Sequence, residues 1–232
     1  MLKTFFKRLD ISWIVTFIAI GALWNTPVAY PLKIFVVFMH EVSHGLAAIA
    51  TGGNIIEIQV VPQQGGHAIT LGGSRFWTLT AGYLGSLIWG GLILVLAART
   101  HLDKFLSIVI GVGMIAATII YGGNWFIRIF GIAFGGGLVI VGWLLPESIN
   151  DWLLRVIGFT SCLYAILDIK SDILDRSGMP SDARMLHDEL TPYIPTIVWG
   201  VIWILIAVIG TIFFLYIAGG EEEEEENLDE LV

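Results

Sequence analysis

The stretch IFVVFMHEVSHGLAAIA, residues 34–50, decides how the rest of the chain is interpreted. It is apolar almost throughout, but His40, Glu41 and His44 lie in its middle. An apolar run of this length is typical of a helix that crosses a membrane. Ionisable side chains are costly inside such a span and usually mark a functional site. We therefore expect a membrane helix whose polar side chains form a functional site.

The composition of the whole chain points to the same class of protein. Of the 232 residues, 56% are apolar and 14% are charged, whereas soluble domains have roughly 45–50% apolar and about 25% charged residues. The mean hydropathy is +0.82. The net charge of −8 arises in residues 221–232, which hold eight acids and no Lys or Arg. We expect one transmembrane domain over residues 1–220 and a disordered acidic tail over 221–232. No basic patch suggests a nucleic-acid partner.

Seven apolar stretches come close to the roughly 20 residues that a span needs. We therefore predict an all-α polytopic membrane protein with about seven transmembrane helices. No cleavage site of small residues follows the first stretch, so we expect it to be retained. The seven stretches are Ile11–Trp24, Leu32–Ala50, Phe76–Ala98, Phe105–Tyr121, Trp125–Leu145, Trp152–Leu167 and Pro195–Ala218.

The distribution of Lys and Arg predicts the orientation of these spans. With the amino terminus in the cytoplasm, eight basic residues lie inside and four outside, which agrees with the positive-inside rule. We expect a multi-pass protein of the cell membrane with this orientation.

Residues 54–71 lie between two spans and have the pattern of a β-hairpin. Their first half is rich in β-branched residues, and the turn signal Gln63-Gln64-Gly65-Gly66 follows. Such apolar, non-helical backbone is tolerated at membrane depth only where it is buried in protein or lines a cavity.

His40-Glu41-Val42-Ser43-His44 is an HExxH motif. Residues four apart lie on one face of a helix, so the two imidazoles can bind one zinc ion. Glu41 then reaches a zinc-activated water and acts as its general base. This chemistry is that of a metal-dependent peptidase.

A third protein ligand must complete such a zinc site. The candidates are His67, His101, Asp168, Asp172, Asp175 and His187. Asp168 ends the sixth span at the membrane face where the second span also ends, and Asp172 follows one turn later. His101 is expected on the opposite side. His67 is on the predicted hairpin and either approaches the metal or is a loop residue, the second being favoured. His187 is expected in a solvated loop.

The motif, followed by Thr51-Gly52-Gly53, resembles the M50 family of intramembrane metalloproteases, the site-2 protease group, and most closely its M50B-like branch. Residues 81–86, AGYLGS, support the resemblance, as do residues 167–172, LDIKSD, and Ser181-Asp182-Ala183. The similarity extends over roughly residues 35–203.

The resemblance implies a zinc site of two histidines and one aspartate. Carried over, His40 and His44 are metal ligands, Glu41 is the catalytic base, and an aspartate of the sixth span is the third ligand. The site-2 type carries that aspartate in a Leu-Asp-Gly motif, whereas this chain has Leu167-Asp168-Ile169. Asp168 is favoured, with Asp172 as the alternative.

The resemblance also implies a function: cleavage of a transmembrane or juxtamembrane segment of an integral membrane protein. The family has a membrane-embedded β element near its active site. An unwound substrate could pair with such a strand, and we expect Ile56, Ile58 and Val60 to bind it.

Two other functions are consistent with the same residues. A membrane scaffold or binding protein could keep the metal site without cleaving anything. An ion or solute transporter could use the His and Asp residues as an ion path, and it would not need Glu41 as a base.

Overall fold

The computed structural model describes residues 11–175 and 180–219. Most of this part is helical, and its strands form a single hairpin. The predicted acidic tail lies outside the described residues, as do the first ten residues. The helices are α1 (Ile11–Leu23), α2 (Tyr30–Ala50), α3 (Arg75–Arg99), α4 (Asp103–Tyr121), α5 (Trp125–Leu144), α6 (Glu147–Lys170), α7 (Asp182–Glu189) and α8 (Thr196–Ala218).

Six of the described helices are long and apolar enough to cross a membrane. They are α2, α3, α4, α5, α8, and α6 together with its continuation to Ile173. These six correspond to six of the seven predicted spans, and the predicted all-α polytopic class is confirmed. The first predicted span, Ile11–Trp24, coincides with α1, which has 13 residues and is shorter than these six helices.

Helix α2 lies at the centre of the bundle. Its most apolar window is 72% buried, against 22% in α4 and 28% in α5 and in α8. The outer helices therefore present apolar side chains to the lipid, as Trp143 and Ile119 show with exposures of 77% and 70%. The HExxH motif is consequently enclosed by protein.

Small residues allow the spans to approach closely, as expected in lipid. An added Cβ at Gly158 of α6 would lie 2.7 Å from the carbonyl oxygen of Gly90 in α3. A Cβ at Gly111 of α4 would lie 2.4 Å from the carbonyl oxygen of Gly135 in α5. These two crossings bring the backbones of neighbouring helices into direct contact.

The predicted hairpin consists of strands β1 (Asn54–Val61) and β2 (Gly65–Leu71). They pair antiparallel, with Val61 opposite Gly65 and Ile58 opposite Ala68. The turn is tied down by two tyrosine hydroxyls, because Tyr30 donates to the Pro62 carbonyl and Tyr164 to that of Gln64.

The two edges of the hairpin differ. At the outer edge of β1, the Gly123 N–H donates to the Ile58 carbonyl (2.8 Å), and the Asn124 side-chain amide donates to that of Val60 (2.9 Å). Among the described residues, no backbone hydrogen bond reaches the outer edge of β2. The free edge of the hairpin is therefore on β2.

Helix α7 packs at the same end of the bundle as the hairpin. Ala183 and Leu186 are fully buried against a cluster that includes Trp203 of α8. At the surface, the Arg75 guanidinium donates to both carboxylate oxygens of Glu189, at 2.8 and 3.0 Å. These contacts fix the position of the first residue of α7, Asp182.

Candidate metal centre

The two histidines of the HExxH motif lie side by side on α2. Their ring centroids are 4.7 Å apart and the rings meet edge to face. Gly82 of α3 makes room for both, since a Cβ there would lie 2.4 Å from His40 Nε2 and 2.6 Å from His44 Nε2. The paired imidazoles therefore occupy the space that the side chain of any larger residue at position 82 would need.

A carboxylate from α7 reaches both imidazoles. Asp182 Oδ2 lies 3.1 Å from His40 Nε2 and 3.3 Å from His44 Nε2. Asp182 follows the N-cap residue Ser181, whose hydroxyl accepts from the Arg184 N–H. Burial disfavours the charged carboxylate, but the two imidazoles outweigh burial and hold the pKa of Asp182 below its usual range.

The donor atoms suit a zinc ion. His40, His44 and Asp182 can each offer one ligand atom, and these atoms lie within 4.8 Å of one another. Zinc binds nitrogen and oxygen at about 2.0–2.2 Å, so in a tetrahedral site its ligand atoms are about 3.3–3.5 Å apart. The separations to Asp182 Oδ2 are close to these values. Two imidazoles and one carboxylate are also a common zinc ligand set that leaves one position open.

The other nitrogen of each ring determines which tautomer is present. His44 Nδ1 lies 2.6 Å from the carbonyl oxygen of Thr78 in α3. A carbonyl can only accept, so Nδ1 carries a proton, and in the neutral imidazole Nε2 then holds the lone pair that a metal needs. His40 Nδ1 faces the Asp168 carboxylate, whose Oδ2 is 3.9 Å away.

Glu41 lies beside the histidines and is 4% exposed. Its Oε2 atom is buried and has no hydrogen-bond partner among the described residues. Its Oε1 and Cγ atoms face Gly66 of β2, where an added Cβ would lie 2.7 Å from Oε1. A buried carboxylate oxygen without a partner is unfavourable in a purely structural cluster, so Glu41 is suited to act on a bound molecule.

These side chains meet at a cavity of about 270 Å³. Its walls come from α2, β2, α3, the end of α6 and the start of α7. The predicted residues His40, Glu41 and His44 all line it, and so do Asp168 and Asp172. The cavity therefore joins the HExxH motif to the strand whose edge is free.

The carboxylate nearest the two Nε2 atoms is that of Asp182, which is not among the ligands predicted from the sequence. The sequence-predicted alternatives have other neighbours: Asp168 faces Nδ1 of His40, and Asp172 accepts a hydrogen bond from the Tyr83 hydroxyl. One sequence signal could have identified Asp182. It is an acid at the start of an amphipathic helix, at the membrane face where the HExxH span ends.

The remaining candidates are not among the three convergent donors. His67 lines the cavity from β2, and His101 is exposed between α3 and α4. His187 lies in α7 and not in the expected loop, with its Nδ1 2.9 Å from the Ile194 carbonyl oxygen. The side chain of Asp175 is outside the described residues. Of the residues predicted to bind substrate, Ile58 and Val60 are 1% exposed and Ile56 is 55% exposed.

Comparison with known proteins agrees with the architecture and with the motif. No curated protein and no solved structure matches the chain. A family model does match, over residues 13–214, and it is described as Peptidase M50B-like. The matched range contains the HExxH helix, the hairpin, Asp168 and Asp182. The chain therefore belongs to the Peptidase M50B-like family.

Proposed function

We propose that the protein is a zinc-dependent intramembrane endopeptidase with His40, His44 and Asp182 as metal ligands. The observation that carries this proposal is the convergence of the three donor atoms beside Glu41, whose buried Oε2 has no hydrogen-bond partner among the described residues. Ionisable side chains in a membrane span usually serve a function. The substrate is a transmembrane or juxtamembrane segment of another membrane protein.

Each side chain has a distinct task in this mechanism. Zinc, when bound, supplies a water of lowered pKa and polarises the scissile carbonyl. Glu41 takes the proton of the attacking water and passes it to the leaving amine. Thr78 holds the His44 ring through Nδ1, and Gly66 lets Glu41 lie flat against β2.

We propose that the substrate binds along the free edge of β2. The carbonyl groups of Ile58 and Val60 point away from β2, so these residues form non-hydrogen-bonded pairs with Ala68 and Gly66. The N–H and C=O groups of Ala68 and Gly66 therefore point away from β1, toward the free edge. Both partners line the cavity. An unwound substrate segment that pairs there lies along the same wall as Glu41. The sequence predicts β1 as the binding strand instead, but the outer edge of β1 is occupied at Ile58 and Val60.

The proposed location is the cell membrane, with the amino terminus in the cytoplasm. The hairpin, α7 and the cavity then lie at the cytoplasmic end of the bundle. Cleavage there would release a product on the cytoplasmic side.

Metal analysis and a cleavage assay on matched variants test the proposal. Wild type and Glu41→Gln should each hold about one zinc per chain, whereas Asp182→Asn should hold none. Glu41→Gln should lower cleavage by roughly 10²–10⁴-fold. Asp188→Asn is the matched control, because Asp188 lies on the same helix with its side chain 55% exposed.

The same experiment separates the alternatives. A scaffold would bind zinc and cleave nothing in either the wild-type or the Glu41→Gln form. A transporter would show solute flux that Glu41→Gln leaves intact. Comparing the membrane proteomes of cells that express the wild-type and Glu41→Gln forms identifies the substrate, since the intact precursor accumulates only with the variant.

A further inference from the structure

Each histidine of the metal centre has one ring nitrogen toward Asp182 and one away from it. The outer nitrogen of His44 donates to the Thr78 carbonyl at 2.6 Å. The outer nitrogen of His40 faces Asp168, with 3.9 Å between Nδ1 and Oδ2. Asp168 and Asp182 are therefore next to different nitrogens of the same ring.

We propose that Asp168 is a positioning residue for His40 and not a metal ligand. Its carboxylate accepts from the Nδ1–H of His40, which leaves the lone pair on Nε2 beside Asp182. A carboxylate in this position fixes the tautomer and the ring orientation, and it makes the ligating nitrogen more basic. A movement of about 1 Å brings the pair to the roughly 2.9 Å of a hydrogen bond. The proposal rests on the proposed function only in that a metal binds at Nε2.

The surroundings of Asp168 support this assignment. Asp172 lies one turn further on and accepts from the hydroxyl of Tyr83, which is 1% exposed. The Tyr83 ring meets the His40 ring edge to face at 5.1 Å, and Trp203 packs against Tyr83 at 5.2 Å. The end of α6 is thus tied to α3 right beside His40. This tie keeps the Asp168 carboxylate on the Nδ1 side of the ring.

The backbone changes form at the same place. A π-helical segment, residues 171–175, continues α6 directly after Lys170. Such segments are frequent at functional sites. Asp168 lies in the last regular turn, with its side chain 18% exposed.

Zinc affinity and cobalt spectra of full-length variants test the assignment. Asp168→Ala should keep the site but bind zinc roughly 10–100-fold more weakly, as expected for loss of an outer-shell partner. Asp168→Asn keeps an oxygen that accepts from Nδ1–H, so it should recover most of this loss. The Co²⁺ absorption spectrum of Asp168→Asn should match that of the wild type, whereas Asp182→Asn should lose it. These measurements need no substrate.

Two results would overturn the assignment. If Asp168→Asn lost zinc and the cobalt spectrum as Asp182→Asn does, Asp168 would be a ligand. If Asp168→Ala bound zinc with wild-type affinity, it would have no positioning role. Either result leaves the proposed peptidase intact, whereas a wild-type protein that binds no zinc overturns both proposals. Thermal unfolding of the metal-free proteins shows that the variants fold.

Discussion

Replacing Gly82 with alanine should abolish zinc binding at the proposed site without unfolding the protein. The added Cβ would lie 2.4 Å from His40 Nε2, 2.5 Å from His44 Cε1 and 2.6 Å from His44 Nε2. Ordinary contacts are about 3.5 Å, so the rings must move by about 1 Å. Metal–ligand distances tolerate only about 0.2 Å. Both imidazoles therefore leave the ligating position at once.

The fold should survive this change because the displaced atoms are the ends of side chains. Alanine is favoured over glycine by up to about 1 kcal/mol inside a helix, and overpacking costs about 1–3 kcal/mol. We expect a net loss of stability of no more than about 2 kcal/mol from these opposing terms. The expected loss of zinc affinity exceeds the roughly 10–100-fold effect of removing an outer-shell partner.

The assay is zinc content per chain and zinc affinity by chelator competition, with thermal unfolding of the metal-free protein in detergent. Gly136→Ala is the matched control, because a Cβ at this helical glycine of α5 meets nothing within 4 Å. Zinc binding by Gly82→Ala with wild-type affinity would refute the placement of the two Nε2 atoms against α3, and with it the geometry of the proposed site.

Three further predictions follow from the walls of the cavity. Gly66→Ala places a Cβ 2.7 Å from both Glu41 Oε1 and the Gln59 carbonyl oxygen of β1. It should therefore displace Glu41 and this part of the hairpin together, keeping zinc and losing cleavage; normal turnover would contradict the close approach of β2 to Glu41. Tyr83→Phe removes the buried hydrogen bond to Asp172 and should lower the free energy of unfolding by about 1.5–3 kcal/mol, a loss that denaturant melts would detect. Substrate peptides N-methylated at single positions should lose cleavage at every second residue near the scissile bond, because the edge of a strand pairs with alternate residues; equal sensitivity at consecutive residues would exclude pairing with β2.

The local features of the site could be predicted from the sequence. His40, Glu41 and His44 lie within five residues of one helix, so the periodicity of that helix alone brings them together. The hairpin could be predicted equally well, since a β-branched run, a glycine-containing turn and a second short strand-like run follow one another in residues 54–71. Both features depend on neighbouring residues along the chain.

The third carboxylate depends on long-range packing. Asp168 and Asp182 both lie near the membrane face where the HExxH span ends, and the sequence does not show which ring nitrogen each one meets. That choice depends on how α7 docks through Ala183 and Leu186, and on how Tyr83 secures the end of α6. Which edge of the hairpin is free could not be predicted for the same reason, because Gly123 and Asn124, which bond to β1, come from a loop distant in sequence.

The separation of 142 residues between His40 and Asp182 has a consequence for biosynthesis. At roughly 5–20 residues per second, a ribosome needs about 7–30 s to progress from the first of these residues to the second. During this interval the nascent chain already carries the histidine pair but lacks the carboxylate that joins it. If the site binds zinc and cleaves peptides as proposed, both must await the late arrival of α7, so an unfinished chain in the membrane cannot cleave its neighbours.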